Sequence, residues 1–201
     1  MIRISAVNLR DTITFVARQE AVVTQAAALA VSDVAEWGKN LSRRAMLADV
    51  NLPADALAGR KFRISQRPTQ GNPEAVITAD NNPLGLSRFV TGDKTPGRAH
   101  PTVRIKKGGS VRQFSTGDRP GGDYSFLIPT PNGAAGVGLA LRTKTPMRNS
   151  SAARKIGRNL YLLSGPSVNQ MFGQMLPALV PRIEAKLAGE FARQYERLSR
   201  G

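Results

Sequence analysis

Cysteine is absent from this sequence of 201 residues, histidine occurs once, and aromatic residues make up only 5%. Without cysteine the chain has no disulfide bonds, no thiolate nucleophile and no cysteine-ligated zinc. The single histidine, His100, lies in a proline-rich segment, and we interpret it as an ordinary loop residue rather than a catalytic base. We therefore predict no catalytic residue, no metal site and no cofactor, and we expect that the chain is not an enzyme.

Long apolar runs are also missing. Stretches such as 26–31 are far shorter than the roughly 18–20 residues that a membrane helix requires. The first residues, Met1 to Ile4, do not resemble a secretion signal, because no sustained apolar run follows them. We expect a soluble protein that is intracellular until it is assembled, without a membrane partner.

Three polar motifs are better explained by structure than by catalysis. Ser167 follows Gly-Pro but lacks the Gly-x-Ser-x-Gly pattern of a nucleophile elbow. The glycine-rich segment 133–138 lacks the Gly-Lys-Ser/Thr of a phosphate loop. Asp118 and Asp123 bracket an arginine, which favours a loop paired to its own cation over a metal or general-acid site.

Positive charge is abundant: the formal net charge is +15 and the isoelectric point is near 11.3. Residues 60–158 contain 18 Lys and Arg against 5 Asp and Glu, a net charge of +13, whereas the two flanks together contribute +2. Such a concentration repels itself unless a polyanion or an acidic partner lies nearby. Because few aromatic residues are available to stack on bases, this basic middle suits phosphates better than sequence readout. A basic surface that only maintains solubility is the alternative.

Apolar periodicity places a long helix near each end of the chain. Apolar residues recur at helical steps over 11–48, where Gly38 could divide the helix in two, and again over 168–198. Pro177 and Pro181 predict a kink or a break in the second helix. That helix, of about 30 residues or roughly 45 Å, is longer than a domain of this size needs for its own core.

Short strands are predicted between the helices. Strands are expected at 61–65, 75–78 and 160–163, a short helix ends at Gly59, and loops are expected at 91–101 (mobile) and 143–157 (exposed). A hairpin is predicted from 124–129 and 136–142, joined by the Asn-Gly turn at 131–133. The sequence therefore predicts an α+β fold: a small mixed or antiparallel sheet or barrel packed by the two helices, in a single domain over 1–201 with a basic, loop-rich middle.

A second hairpin is predicted around Lys107. A three-residue loop at 107–109 would bury Val103, Ile105 and Val111 on one face of the strands 102–106 and 110–114. Arg104, Lys106 and Arg112 would share the other face, with Arg104 directly opposite Arg112, an arrangement that a bound anion would relieve. We therefore expect Arg104, Lys106, Lys107 and Arg112 to face DNA or an acidic partner.

The stretch 161–172 joins a short apolar run to a helix start. Ser164 or Gly165 is predicted as the N-cap and Pro166 as the first helical residue, which needs no N–H. Gly165, Pro166 and Ser167 would then form a structural elbow rather than a catalytic one. An apolar stripe follows along the helix and ends near Phe191 and Tyr195. Because one domain could hardly cover the whole stripe, we expect Phe191 and Tyr195 to contact another copy of the chain or a partner. The alternative is that the stripe belongs to the chain's own core.

These segments resemble the phage minor tail protein Z family. The resemblance is carried by Tyr-Leu-Leu-Ser-Gly-Pro-Ser before the long helix, by the short helix and basic strand at 51–64, and by Pro-Leu-x-x-x-Arg-Phe at 83–89. The resemblance implies a minor tail or tail-completion subunit of a tailed-phage virion, which is assembled in the host cytoplasm. It would form a hexameric ring at the head-proximal end of the tail, where it joins tail to head and positions DNA. Its implied partners are the tail terminator, tail tube and head-side connector proteins, with genomic DNA in the lumen.

A different interpretation accounts for the same charge: a free-standing, nonspecific nucleic-acid-binding protein. Salt-dependent binding of the isolated monomer to duplex DNA would favour that alternative. Ring formation with weak binding to free DNA would favour the tail subunit.

Overall fold

The computed structural model describes residues 7–114, 123–130 and 136–200, with side chains of the first helix described from residue 19 onward. In this part of the chain two long helices flank nine strands in sequence: α1 Val7–Asp49, β1 Phe62–Gln66, β2 Val76–Ala79, β3 Pro83–Gly85, β4 Thr102–Val103, β5 Arg112–Gln113, β6 Tyr124–Pro129, β7 Val137–Arg142, β8 Ala153–Gly157, β9 Leu160–Ser167 and α2 Val168–Ser199. Short 3₁₀ helices lie at Ala54–Leu57, Gly59–Lys61 and Leu86–Phe89. The predicted α+β class is confirmed.

The chain is organised in two compact units. The helical unit comprises Met1–Leu41, Arg63–Thr78 and Leu176–Gly201, and the sheet unit comprises Ser42–Phe62 and Ala79–Met175. Each of the long helices contributes residues to both units.

The sheet unit is built on an antiparallel five-stranded sheet. Its strand order is β3-β9-β7-β6, and β8 pairs with β9. The β6–β7 ladder runs from Tyr124 opposite Arg142 to Pro129 opposite Val137, which confirms the predicted hairpin strands; the predicted turn at 131–133 lies outside the described residues. The predicted strand at 160–163 is also confirmed and extends to Ser167 as β9.

One of the two loops predicted in this unit is wrong over its last five residues. The segment 143–157 contains β8, in which Ala153 is the only buried residue. The strand therefore lacks the alternation of apolar and polar residues from which it could have been predicted. The segment 91–101 contains no helix or strand, as predicted, but it is hydrogen-bonded along β6: Gly97 N–H donates to the Leu127 carbonyl at 2.7 Å, and His100 N–H donates to the Ser125 carbonyl at 2.8 Å. These bonds cover a sheet edge that would otherwise present unpaired backbone groups.

The core of the sheet unit lies on one face of the sheet. Residues directly opposite each other in neighbouring strands share a face, and this places Leu127 with Leu139, and Leu141 with Tyr161. All four are at most 7% exposed. The Tyr161 hydroxyl donates to the Met147 carbonyl at 2.8 Å, so its polar end is satisfied inside this core.

In the helical unit, α1 is continuous through Gly38. A Cβ atom on this buried residue would lie 3.5 Å from Ile183 Cδ1, an ordinary contact distance, so Gly38 faces α2 and does not divide α1. The helix α2 likewise continues through Pro177 and Pro181 without the predicted break. Strands β1 and β2 confirm the predicted strands 61–65 and 75–78.

Candidate anion- and partner-facing surfaces

The positive charge belongs mainly to the sheet unit. Counted over the sequence, this unit holds 18 Lys and Arg against 6 Asp and Glu, a net charge of +12, whereas the helical unit holds 11 against 8, a net charge of +3. Any polyanion attracted by this chain is therefore attracted chiefly to the sheet unit.

The hairpin predicted around Lys107 has a different register in the structure. The two strands are only two residues long, with Thr102 opposite Gln113 and Val103 opposite Arg112. The prediction that Arg104 opposes Arg112 is therefore wrong by one residue. Because a shift of one residue moves a side chain to the other face, Arg112 shares a face with Val103 instead.

Backbone bonds from distant parts of the sheet unit explain the altered register. Arg104 N–H donates to the Phe89 carbonyl at 3.0 Å, and Lys107 N–H donates to the Asp49 carbonyl at 2.8 Å. The Ile105 carbonyl accepts a bond of 2.8 Å from Asn51 N–H, just after α1. Residues 104–107 thus pair with the end of α1 and with Phe89, and no longer with 110–111. Ile105 and Val111, predicted to be buried, are 37% and 43% exposed.

The four predicted cations consequently have three different environments. Arg104 is half-buried, and its Nε atom is buried without a hydrogen-bond partner among the described residues. Lys106 Nζ lies 3.7 Å from Asp49 Oδ2. Lys107 and Arg112 are exposed, and neither makes an ion pair with any residue that the structure describes. The predicted shared cationic face is wrong, and Lys107 and Arg112 are the members best placed to meet an anion.

Two of the four predicted cations line a hollow of about 340 Å³. It is lined by Lys106 and Arg112 together with Val103, Ile105 and Phe114 among other residues. The hollow therefore combines two cationic side chains with an apolar floor, which suits a carboxylate-bearing or phosphate-bearing partner.

Arg142 and Arg154 are cations that the sequence interpretation missed. Arg142 ends β7 and Arg154 lies in β8; both are exposed and form no ion pair among the described residues. Both arginines were counted in the net charge of 60–158. Their position on one sheet could not be predicted, because it depends on the pairing of β8 with β9 and the segment 143–157 was predicted to be a loop.

The Gly-Pro-Ser segment caps α2 in a different way from that predicted. Ser167 is the N-cap: its Oγ accepts a hydrogen bond of 3.1 Å from Gln170 N–H, while Gln170 Oε1 accepts one of 3.0 Å from Ser167 N–H. This reciprocal pair is a capping box. Ser164, Gly165 and Pro166 are part of β9, so the predicted N-cap and first helical residue are wrong. The Ser-x-x-Gln spacing was the signal for the true cap.

Ser167 is 1% exposed and its hydroxyl is engaged in the cap, as a structural role requires. The ring of His100, the only histidine in the sequence, packs edge-on against Tyr124 with ring centroids 5.2 Å apart. Within the described residues no group of three or more His, Cys, Asp or Glu could hold a metal ion. In the same part of the chain no helix has the length and apolar character of a membrane span.

Near the end of α2, Phe191 and Tyr195 stack with ring centroids 6.2 Å apart, and both are partly exposed. The Tyr195 hydroxyl lies 3.1 Å from Gln19 Oε1 and donates to it. Beside them Glu190 is buried and accepts a bond of 2.8 Å from Arg193 Nε. That bond lowers the pKa of Glu190 despite its burial.

Comparison of the chain with protein-family models, curated proteins and solved structures found no match.

Proposed function

We propose that this chain is a structural subunit of a tailed-phage virion: a minor tail or tail-completion protein that forms a ring near the head–tail junction, helps to join tail to head and positions DNA. The observation that carries the proposal is the net charge of +12 on the sheet unit, with Lys107 and Arg112 exposed and without an ion pair in the described part of the chain. The resemblance in sequence supports the assignment to tail proteins, and the positive charge supports the role in positioning DNA.

A ring around DNA needs contacts that are attractive, weak and independent of sequence. Exposed lysine and arginine side chains interact with phosphates of any sequence. Tyr124 and Phe126 stack on each other, with centroids 5.2 Å apart, so their rings are partly occupied and poorly available to bases. Repetition of a few cations in each subunit would hold the duplex centrally while leaving it free to move.

The proposal is tested by reversing the two unpaired cations of the hairpin. Lys107→Glu/Arg112→Glu is compared with Arg182→Glu/Arg197→Glu, which makes the same change of charge at exposed positions of α2 that have no ion pair among the described residues. We expect both variants to fold and to form rings, and only the hairpin variant to impair DNA retention or head–tail joining, measured by electron microscopy of assembled particles.

Binding of the purified chain to a short DNA duplex, measured by fluorescence anisotropy at several salt concentrations, distinguishes the alternative. Each lost phosphate contact reduces the log–log salt slope by about 0.9. Tight binding by the isolated monomer, with a steep slope, would favour a free-standing nucleic-acid-binding protein. Equal loss of assembly in both variants would leave solubility as the purpose of the hairpin cations.

A further inference from the structure

The five-stranded sheet has a second face that is only partly covered. Opposite the core face, pairing places Tyr124 with Arg142 and Leu160, and Phe126 with Ala140, Leu162 and Arg154. Every large side chain in this set is partly or fully exposed, in contrast to the buried core face. We call this surface the open face; it consists of the side chains on this side that reach solvent, namely Tyr124, Phe126, Ile128, Arg142, Arg154, Leu160 and Leu162. Ala140 lies on the same side of the sheet but is 0% exposed.

The composition of the open face is unusual for an antiparallel sheet. A face that meets only water normally carries polar side chains, whereas five of the seven residues here are apolar or aromatic. All five are partly exposed, and neighbouring apolar side chains that reach solvent in this way mark an interaction site. We therefore expect a macromolecular partner to cover the open face.

Charge limits the choice of partner. Arg142 and Arg154 are exposed on the open face and lack ion pairs among the described residues, and the face contains no carboxylate. Two open faces packed together would leave buried guanidinium groups without anionic partners, which is costly. The partner must therefore present an apolar surface that includes a carboxylate.

The helical unit has such a surface. A groove of about 370 Å³ is lined by Ala27, Ala30, Val31, Leu187, Ala188 and Phe191, with Glu184 as its charged residue. Glu184 is exposed and makes no ion pair within the described residues. Because this helical groove carries one negative charge and the open face carries only positive ones, the two surfaces are complementary in both polarity and charge.

We propose that the open face of one subunit docks against the helical groove of a second copy, with Glu184 meeting the arginines of the open face. The proposal rests on the ring proposed above and names the surfaces that would join its members. Because the two surfaces differ, copies associate head to tail, and such heterologous contacts close into rings when the rotation between copies permits it.

The test uses one blocked surface at a time. Phe126→Asp blocks the open face, and Leu187→Asp blocks the helical groove. By sedimentation velocity, each variant alone should be monomeric where the native chain assembles, and an equal mixture should give a heterodimer and nothing larger. That mixture retains one intact open face and one intact groove. A contact between identical surfaces would not restore association in this way.

A second set of variants changes only exposed charged residues, so its effect on assembly does not depend on placing a charge at a partly buried apolar position. Arg142→Glu/Arg154→Glu should raise the concentration needed for assembly by about tenfold or more, and adding Glu184→Arg to the same chain should restore it. Arg148→Glu/Arg158→Glu provides the control, since both residues are exposed and lie outside the open face.

Failure of the docking proposal is distinguishable from failure of the proposed function. Rings that persist in all these variants, or a native chain that stays monomeric, would overturn the docking proposal. The role in the particle is judged separately by the Lys107 and Arg112 variants.

Discussion

Gly165 is the position at which a single added methyl group best tests how β9 packs. A Cβ atom built on Gly165 would lie 2.8 Å from Phe89 Cε2 and 3.2 Å from Leu86 Cδ1. Contacts between carbon atoms are favourable at about 3.5–4.0 Å, so the Gly165→Ala methyl group overlaps the phenylalanine ring. Phe89 is 0% exposed and cannot swing into solvent.

The loss of stability expected for Gly165→Ala follows from the disturbance of a well-packed core. Forcing an additional methyl group into a filled core typically costs about 1–3 kcal/mol. For a chain of 150–250 residues, each kcal/mol lowers the melting temperature by about 2–4 °C. Gly165→Ala should therefore lower the melting temperature by about 2–12 °C.

Gly173→Ala is the matched control. Gly173 lies inside α2, and apart from its chain neighbours and the nearby backbone of α2 itself, no heavy atom of the described residues would come within 4 Å of its added Cβ. Alanine is favoured over glycine in a helix by about 0.5–1 kcal/mol, so this variant should melt at a higher temperature. Thermal unfolding followed by circular dichroism measures both. A Gly165→Ala variant as stable as the native chain would refute the packing described for β9.

Two further predictions concern α2. Ser167→Ala should reduce the free energy of unfolding by about 1 kcal/mol through loss of the capping box, measured by calorimetry; lost infectivity with normal incorporation into particles would instead demand a chemical role. Arg193 holds the pKa of Glu190 below its usual 4.5, so the stability that this carboxylate contributes is present above pH 4.5 and lost as the pH falls below it. Glu190→Gln should therefore reduce the acid-induced loss of stability, and an unchanged pH profile from urea unfolding would contradict this assignment.

The elements that could be predicted are those whose signal is local. Helix α1 buries Ala26, Ala30 and Val34 at steps of four residues, a spacing that identifies a helix without knowledge of its neighbours. The β6–β7 hairpin has both strands and an Asn-Gly pair within one short segment. Gly59, predicted to end a short helix, does adopt a positive φ of 62°.

The surfaces could not be predicted because they depend on distant pairing. The register of the hairpin around Lys107 follows from backbone bonds to Phe89, Asn51 and Asp49, and nothing in the local pattern of 102–114 encodes those partners. The open face depends on β8, whose membership of the sheet brings Arg154 beside Leu162. A local interpretation counts the charges correctly but cannot place them.

The apolar strands nevertheless contain information about assembly. Antiparallel strands that face water on one side alternate apolar and polar residues, whereas nearly continuous apolar strands are typical of sheets covered on both faces. Strand β6 carries Tyr124, Phe126 and Ile128 on the face opposite its buried Leu127, and β9 likewise carries Leu160 and Leu162. These side chains remain partly exposed. The strand composition therefore fits a sheet whose second cover is supplied by another molecule, which is the inference that the docking variants test.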